Sequence, residues 1–439
     1  MYPAPMRKAR TARGITLLTL IAFAASCASA NLPPITSVDP PFQPENDEVR
    51  LWEKARSEEA KLREKVSLYQ DPLLEDYLEG IVQRLNPPEM ERVEGIGFRV
   101  SVVQDPTLNA FAYPTGSLYV HTGLLARMEN EDQLATVLGH EMTHVENRHM
   151  VRYTRSAQNK QIGFSLAAIA GAVIVAGEEG EAVEEGDYGR AARIGVLTDV
   201  LIGLGLTLAI LASVNGYGRN LEREADAGGF DKMSSAGYDV REAPGVYQAL
   251  LEDHGDSGKA EAFFFGSHPR LEERIQSAQE WAAAYPDQVH DSLVGNSIKF
   301  AHRIRPVIRD DARMNIEMGR LELAEFELTR AIDLLPADAT AHELMGKLRL
   351  VQAEKTKDKA ERERLGESAR ASFGEAVRLD PARPGPHREL GLLAYRRGDF
   401  GDACTEFAKY LELAPDAEDA QSIRDYRLEL DRDGHCPAP

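Results

Sequence analysis

The apolar positions of this chain follow two periods, one of two residues and the other the longer period of helices. Phe98, Val100 and Val102 alternate with other residues within the segment 97–104, and residues 117–122 form a second short run. Alternation of this kind is typical of strands with one buried face. We therefore predict two strands here, as part of a small β-sheet.

Helical patterns occupy much of the remaining chain. Residues 47–70 are highly charged and predict one helix, and residues 73–85 predict a second. The segment 131–138 starts with acidic residues and continues without Gly or Pro as far as Gly139, which suits a buried helix. The predicted fold class is mainly α with a small β-sheet.

The C-terminal third of the chain is repetitive. Three columns recur, one of alanine, one of large apolar residues and one of proline: Ala324, Ala369 and Ala403; Leu328, Phe373 and Phe407; Pro336, Pro381 and Pro415. The last step is 34 residues in every column, which is the tetratricopeptide period. The earlier step is 45 residues, so the middle repeat carries an 11-residue insertion, which the charged segment 355–367 can hold between its two helices.

These repeats predict an α-solenoid over residues 294–430, followed by a tail at 431–439. Gly346 and Gly391 occupy packing positions of the first helix of their repeats, where small residues let helices cross. A capping helix is expected from about residue 417 to residue 430.

The N-terminal 30 residues have the pattern of a secretion signal. Basic residues precede an apolar run at 15–25, and Ala28-Ser29-Ala30 offers a cleavage site. The residues before Cys27 also resemble a lipoprotein signal, so simple cleavage and lipid attachment at Cys27 are both open. Either route leads out of the cytoplasm, and we predict a periplasmic location, with anchoring to the outer membrane if Cys27 is lipidated. Residues 31–46 are rich in proline and predict an extended linker.

Two further apolar stretches lie at 162–176 and 194–214. The second is long enough to span a bilayer, which needs roughly 17–25 residues, but it contains Asp199 and several Gly and Thr residues. An acidic segment separates the two stretches. We expect packed or interfacial helices with a peripheral membrane contact, and true spanning stays open.

Composition limits the classes of partner. The chain has 51 basic and 71 acidic residues, for a formal net charge of −20, which argues against nucleic acid and leaves no polybasic patch for a membrane. The three cysteines, Cys27, Cys404 and Cys436, show no metal-ligand spacing. Cys404 and Cys436 could pair in an oxidising compartment, although no sequence pattern places them together.

The candidate chemistry begins with His140-Glu141-Met142-Thr143-His144. Positions i and i+4 share one face of a helix, so both imidazoles can reach one metal ion. Glu141 lies between them and can take a proton from water as a general base. Two histidines satisfied in a helical core, with an incidental glutamate, are the alternative interpretation of this motif alone.

A catalytic zinc site normally uses three protein ligands, so a third is needed. Glu222 and Asp226 are again i and i+4, which lets one carboxylate bind the metal while the other accepts the N–H of a ligating histidine. Glu224 lies on another face of the same segment and is the competing ligand. A solvated acidic helix face is the alternative in a chain this acidic.

Four segments together resemble one known family. They are Asn109-Ala110-Phe111-Ala112, the segment from Gly116 to Gly123, the HEMTH helix, and Glu222 through Ala225 to Asp226. This combination is similar to the zinc metallopeptidase family of the CAAX prenyl protease and HtpX, and especially to its periplasmic BepA-type branch with tetratricopeptide repeats. The resemblance spans residues 45–290 for the peptidase and the rest for the repeats. Many relatives have Ser where this chain has Gly218, a difference that affects no ligand.

The resemblance implies a zincin-like metallopeptidase domain at 47–293. It implies one Zn²⁺ per chain, held by His140, His144 and Glu222, with Asp226 at the position of the family's aspartate. It also implies that Asn109, Ala110, Phe111 and Ala112 line the active-site cleft as an edge strand, which can pair with an extended substrate. An ordinary buried strand is the alternative for this segment.

The family also has a His-Pro pair at the end of the peptidase domain, which corresponds here to His268 and Pro269. The histidine of this pair can approach the zinc, either as a fourth ligand or as a stabiliser of the oxyanion. A cap of the helix that starts near Arg270 is the alternative role for His268. Tyr217 and Arg219 are other candidates for stabilising the oxyanion.

The function predicted from these features is that of a zinc-dependent endopeptidase of the cell envelope. Its substrates would be misfolded or unassembled envelope proteins, and its repeats would bind protein partners. The alternative is a chaperone-like assembly factor for outer-membrane proteins with a latent protease site. The complete HEMTH motif and Glu222 favour the enzyme.

Overall fold

A computed structural model describes residues 32–37, 42–159, 206–210, 217, 219–256, 271–284 and 292–436. The predicted signal at 1–30, the apolar stretch 162–176, most of the stretch 194–214 and His268 lie outside the described residues. Within the described ranges, no helix combines the length and the apolar character needed to cross a membrane.

The fold class is mainly α with a small sheet, as predicted. The strands are β1 (Arg99–Val103), β2 (Ala110–Ala112) and β3 (Ser117–His121). The helices of the N-terminal half are α1 (Asn46–Lys65), α2 (Pro72–Leu85), α3 (Thr122–Arg127), α4 (Glu131–Glu146), α5 (His149–Asn159), α6 (Thr207–Ile210), α7 (Arg219–Ser235), α8 (Ala243–Asp256) and α9 (Leu271–Ala284). Those that follow are α10 (Ser292–Glu317), α11 (Leu321–Leu334), α12 (Ala339–Lys355), α13 (Lys359–Leu379), α14 (Pro384–Arg397), α15 (Phe400–Leu413) and α16 (Ala420–Arg432).

The described residues divide into two compact units. The first takes residues from 1–103, 109–120 and 132–290, and the second takes residues from 104–108, 121–131 and 291–439. Two short segments within the predicted peptidase range thus belong with the repeats. In the second unit, α3 packs against α10, and Arg330 of α11 donates to the carbonyl oxygens of Ala126 and Met128 at 2.7 and 2.8 Å. The boundary at 293 stays a prediction.

The sheet of the first unit has the strand order β1-β3-β2, which places β2 at an edge. β2 pairs antiparallel with β3, so that Phe111 lies opposite Tyr119. Their rings stack with centroids 5.1 Å apart, and both are fully buried. Residues 110–112 of the predicted segment therefore form an edge strand with buried side chains, and Asn109 precedes this strand. Pairing of the segment with a substrate stays a prediction.

The repeats of the second unit pack through a glycine and a phenylalanine. An added Cβ at Gly346 would lie 2.7 Å from the ring of Phe373, and one at Gly391 would lie 2.5 Å from the ring of Phe407. Both rings are fully buried. The first helix of each pair thus offers a glycine surface that receives the aromatic ring of the second helix. This contact gives a physical reason for the two phenylalanines in the column of large apolar residues.

The insertion of the middle repeat is mostly helical. Only residues 356–358 separate α12 from α13, and the rest of the charged segment extends α13 to 21 residues, against 14 in α15. Asp358 caps α13 by accepting from the N–H groups of Ala360 and Glu361. The repeat therefore holds the extra residues as additional helical turns.

A disulfide links the C-terminal segment to the last repeat. Cys404 of α15 is bonded to Cys436, which follows α16, and their Cα atoms are 5.4 Å apart. The predicted capping helix is α16, which begins at Ala420 and ends at Arg432. The disulfide fastens this helix to the last repeat.

The glycine contact in the last repeat can be tested with Gly391→Ala. The added methyl group would meet the Phe407 ring, so we expect a loss of about 1–3 kcal/mol in the stability of this helix pair. Amide hydrogen exchange of peptides from α14 and α15 measures this locally.

Gly374→Ala is the matched control. Gly374 is exposed on α13 and an added Cβ meets no atom within 4 Å, so helix propensity alone predicts a gain of up to about 1 kcal/mol. Equal exchange rates in Gly391→Ala and the unchanged chain would contradict the packing argument.

Candidate metal centre

The candidate metal centre lies where α4 and α7 cross with their backbones close together. A Cβ added to Gly139 would lie 3.2 Å from the carbonyl oxygen of Gly229, and one added to Gly228 would lie 2.5 Å from the side chain of Thr143. Glycine on both helices lets the two backbones touch. The close approach brings the HEMTH turn of α4 to the level of the first turns of α7.

Three side chains converge at this crossing. The Nε2 atoms of His140 and His144 are 2.9 Å apart, and the carboxylate of Glu222 lies 3.4 Å from the first and 3.8 Å from the second. All three side chains are more than nine-tenths buried. Among the described residues they form the sole group of His, Cys, Asp or Glu side chains arranged to hold a metal ion.

This donor set fits a catalytic zinc ion. Two imidazoles and one carboxylate are a known ligand set for such sites, in which one coordination position stays available for water or substrate. Nitrogens bound at about 2.0–2.1 Å to one tetrahedral ion stand roughly 3.3 Å apart, close to the separation of the two Nε2 atoms. The carboxylates of Glu222 and Glu224 differ in direction: Glu224 turns away from the pair of imidazoles and accepts from Arg152 at 2.5 and 3.0 Å.

Asp226 holds the outer nitrogen of His140. Its Oδ1 lies 2.8 Å from His140 Nδ1, and it also accepts from the Tyr247 hydroxyl at 3.0 Å. Arg274 donates to both carboxylate oxygens at 2.6 and 2.9 Å, and its guanidinium lies over the Tyr247 ring. The contact fixes the His140 ring with Nε2 directed at Glu222 and His144.

These contacts shift the ionisation of the buried groups. Burial disfavours charge on Asp226, but Arg274 and His140 outweigh it and hold the pKa of this carboxyl well below its usual range. Burial lowers the pKa of His140, but bonds to Asp226 and Glu222 raise it overall to about 9.

Glu141 stands beside the three converging side chains. Burial raises its pKa to about 7, a value at which a carboxylate both takes and returns protons near neutral pH. The backbone of Ala112 in β2 opposes part of this rise in pKa. The edge strand and the candidate base are therefore neighbours.

The remaining predicted residues take different positions. The buried Tyr217 lies with its ring centroid 4.4 Å from that of His144, and its backbone N–H donates to Glu222 at 3.2 Å. Arg219 is exposed at the start of α7. His268 lies outside the described residues, so both of its proposed roles stay predictions.

Sequence reasoning missed Arg274, Tyr247, Arg152 and His149. Arg274 and Tyr247 carry no motif, and only the need of the buried Asp226 for a counter-charge could have suggested a cation. His149 lies five residues after His144, a spacing that gives no shared helix face. Its neighbours are described below.

A family model described as Peptidase family M48 matches residues 72–282, and a tetratricopeptide repeat model matches residues 360–427. A putative beta-barrel assembly-enhancing protease of Vibrio cholerae is 29% identical over 51% of this chain and 42% of its own length.

Two other relatives are similar over a comparable share of the chain. The mitochondrial metalloendopeptidase OMA1 of Schizosaccharomyces pombe is 28% identical over 54% of this chain and 63% of its own length. Protease HtpX of Shewanella pealeana is 32% identical over 40% of this chain and 66% of its own length. The chain thus spans less than two thirds of each of these relatives.

The loss of zinc affinity should depend on which acidic residue of α7 is substituted. We expect Glu222→Ala to abolish stoichiometric zinc binding, and Asp226→Asn to weaken affinity about 10–100-fold because the outer bond to His140 is altered. Glu224→Ala should weaken it less than either. Zinc affinity is measured by competition with a chromogenic chelator.

The exposed Asp231→Asn on the same helix is the control and should bind zinc as the unchanged chain does. An order in which Glu224→Ala loses more zinc than Glu222→Ala would show that the third ligand has been assigned to the wrong residue.

Proposed function

We propose that this chain is a zinc-dependent endopeptidase of the cell envelope, because residues 72–282 match the model of peptidase family M48. Its substrates would be misfolded or unassembled envelope polypeptides. The observation that carries the proposal is the convergence of His140, His144 and Glu222 beside the buried carboxyl group of Glu141.

The side chains of the centre divide the chemistry among them. His140, His144 and Glu222 would hold the ion, and Asp226 would keep His140 in the orientation and tautomer that binding needs. When bound, zinc supplies Lewis-acid chemistry and lowers the pKa of water to about 7. Glu141 takes the proton of the attacking water and passes it to the leaving amine, a role suited to its raised pKa.

The position of β2 supports a polypeptide substrate. β2 lies at an edge of its sheet and is hydrogen-bonded to β3 along one side. An extended backbone can add to such an edge through main-chain hydrogen bonds, with little dependence on its sequence. Because Ala112 of β2 contacts Glu141, a peptide aligned there would bring a carbonyl group close to the base. This arrangement suits unfolded substrates.

The disulfide supports a location outside the cytoplasm. Cys404 and Cys436 are bonded, and disulfides persist in oxidising compartments such as the periplasm. This agrees with the predicted secretion signal at 1–30. We propose a periplasmic enzyme, attached to the outer membrane if Cys27 carries lipid.

The repeats would recruit protein partners. Stacked helical pairs form extended surfaces that hold polypeptides, and residues 360–427 match a tetratricopeptide family. The beta-barrel assembly-enhancing proteases among the relatives make proteins of the outer-membrane assembly process the first partners to test.

Glu141→Gln tests the chemistry. The ligands are untouched, so we expect zinc to stay bound, while cleavage of an unfolded protein such as casein should fall by about 10²–10⁴-fold because the base is lost. Removal of zinc by a chelator should abolish cleavage by the unchanged chain, and added zinc should restore it.

Asp231→Asn again serves as the matched acid-to-amide control and should cleave at the rate of the unchanged chain. Cleavage by Glu141→Gln at that rate would refute the proposed mechanism. Folding assistance that survives both the chelator and Glu141→Gln would favour the chaperone-like alternative.

Removal of residues after 383 tests the role of the repeats. This truncation deletes α14 to α16 but keeps α10 and α11, which cover α3 and the carbonyl groups of Ala126 and Met128. We expect unchanged zinc affinity and short-peptide hydrolysis, with loss of co-purification of large envelope proteins. Truncation at 294 would expose buried residues of α3 and would confuse recruitment with folding.

The control is the full chain carrying Glu141→Gln, which should retain its partners without cleaving them. A chain truncated after 383 that still co-purifies with the same proteins would locate recognition outside the last repeat.

A further inference from the structure

We propose that His149 is a positioning residue for the metal centre, because it accepts the Nδ1–H of His144 and thereby fixes the ring and the tautomer of that ligand. The inference rests on the proposed metal-binding role of His144. His149 would touch neither metal nor substrate. Its role is to make His144 present Nε2, with its lone pair, to the ion.

The contact between the two imidazoles is short and buried. His149 Nδ1 lies 2.8 Å from His144 Nδ1, and His149 is fully buried. The ring planes are inclined at 76°, with centroids 4.9 Å apart. The other nitrogen of His144, Nε2, faces His140 Nε2 at 2.9 Å and Glu222 at 3.8 Å. The two nitrogens of His144 thus have separate tasks.

Proton placement follows from these distances. An Nε2 that binds a metal offers its lone pair, so the proton of neutral His144 resides on Nδ1. A hydrogen bond at 2.8 Å then requires a lone pair on His149 Nδ1. His149 must therefore be the tautomer that carries its proton on Nε2. Protonation of His149 at both nitrogens would set two N–H groups against each other.

Glu224 and Arg152 favour this tautomer. Oε2 of Glu224 lies 3.5 Å from His149 Nε2, where a negative charge stabilises an N–H group. Arg152 donates to both oxygens of Glu224 at 2.5 and 3.0 Å and fixes the carboxylate. The contacts therefore form a series that runs from Arg152 through Glu224 and His149 to His144. Glu224, which the sequence offered as a competing metal ligand, is therefore part of this series of contacts.

The backbone turn before α5 makes the contact possible. In a continuous helix, residues five apart point about 140° away from each other, so His149 could not face His144. Arg148, between α4 and α5, adopts a left-handed conformation with φ of 58°. A buried ion pair secures this uncommon conformation, since Arg148 donates to both carboxylate oxygens of Glu48 in α1 at 2.7 and 2.6 Å.

The two ligating histidines thus have outer partners of different charge. His140 has the anionic Asp226, whereas His144 has a neutral imidazole. An anion increases the basicity of the ligand as well as orienting it, while a neutral acceptor mainly orients it. We therefore expect loss of the His149 acceptor to weaken zinc binding about tenfold, at the lower end of the range for such outer contacts.

Two substitutions distinguish the effect of losing the hydrogen-bond acceptor from the effect of losing the aromatic ring. His149→Phe keeps a planar ring but removes the acceptor, whereas His149→Asn places an amide oxygen near the former Nδ1 position. We expect zinc affinity, measured by chelator competition in the full chain, to fall about tenfold in His149→Phe and to recover to within about threefold in His149→Asn. Thermal unfolding of the zinc-free variants separates loss of affinity from loss of fold.

Equal affinity in the unchanged chain and His149→Phe would overturn the proposal. So would equal losses in the two variants, since packing alone would then explain the effect. The visible spectrum of bound Co²⁺ adds a second readout: it should change in His149→Phe and return towards its original form in His149→Asn. An unchanged spectrum in His149→Phe would also contradict the proposal.

Nuclear magnetic resonance of histidine-labelled, zinc-loaded protein tests the tautomers directly. We expect the proton on Nδ1 of His144 and on Nε2 of His149, and the opposite assignment for His149 would overturn the proposal. These measurements do not depend on proteolysis. A chain that binds zinc with this tautomer pattern but cleaves no protein would refute the proposed function while leaving the role of His149 intact.

Discussion

The close crossing of α4 and α7 is the constraint on which the centre depends. Gly139, Gly228 and Gly229 allow the two backbones to touch, because an added Cβ would lie only 3.2, 2.5 and 3.0 Å from the facing helix at these three positions. Only at this separation can two imidazoles from one helix and a carboxylate from the other share one ion. The polar groups of the centre are consequently buried, and each needs a fixed partner, since unpaired charge in such surroundings is costly.

Local helix geometry explains how much of the centre could be predicted. The i and i+4 spacing that places His140 with His144, and Glu222 with Asp226, is a property of any helix and is visible in the sequence. The period of the repeats and the two main strands are likewise local patterns. The contacts of Arg274 could not be predicted, because α9 reaches Asp226 only through the tertiary fold.

Other differences from the sequence predictions also have non-local causes. The second unit includes two short segments from the predicted peptidase range, and contacts between distant residues, rather than any linker composition, decide this division. The insertion at 355–367 extends a helix because its charged residues are good helix formers and Asp358 caps the new turns. The pairing of Cys404 with Cys436 depends on how α16 folds back on α15.

The ion pair between Arg148 and Glu48 sets the size of the smallest fragment worth preparing. Peptidase family M48 matches this chain from residue 72, yet α1 begins at Asn46 and supplies the carboxylate that secures the turn before His149. Arg155 of α5 is likewise bonded to Asp47. A catalytic fragment cut at the family boundary would therefore lose an anchor of the proposed metal ligand His144. Assays on such a fragment would underestimate the activity of the full chain.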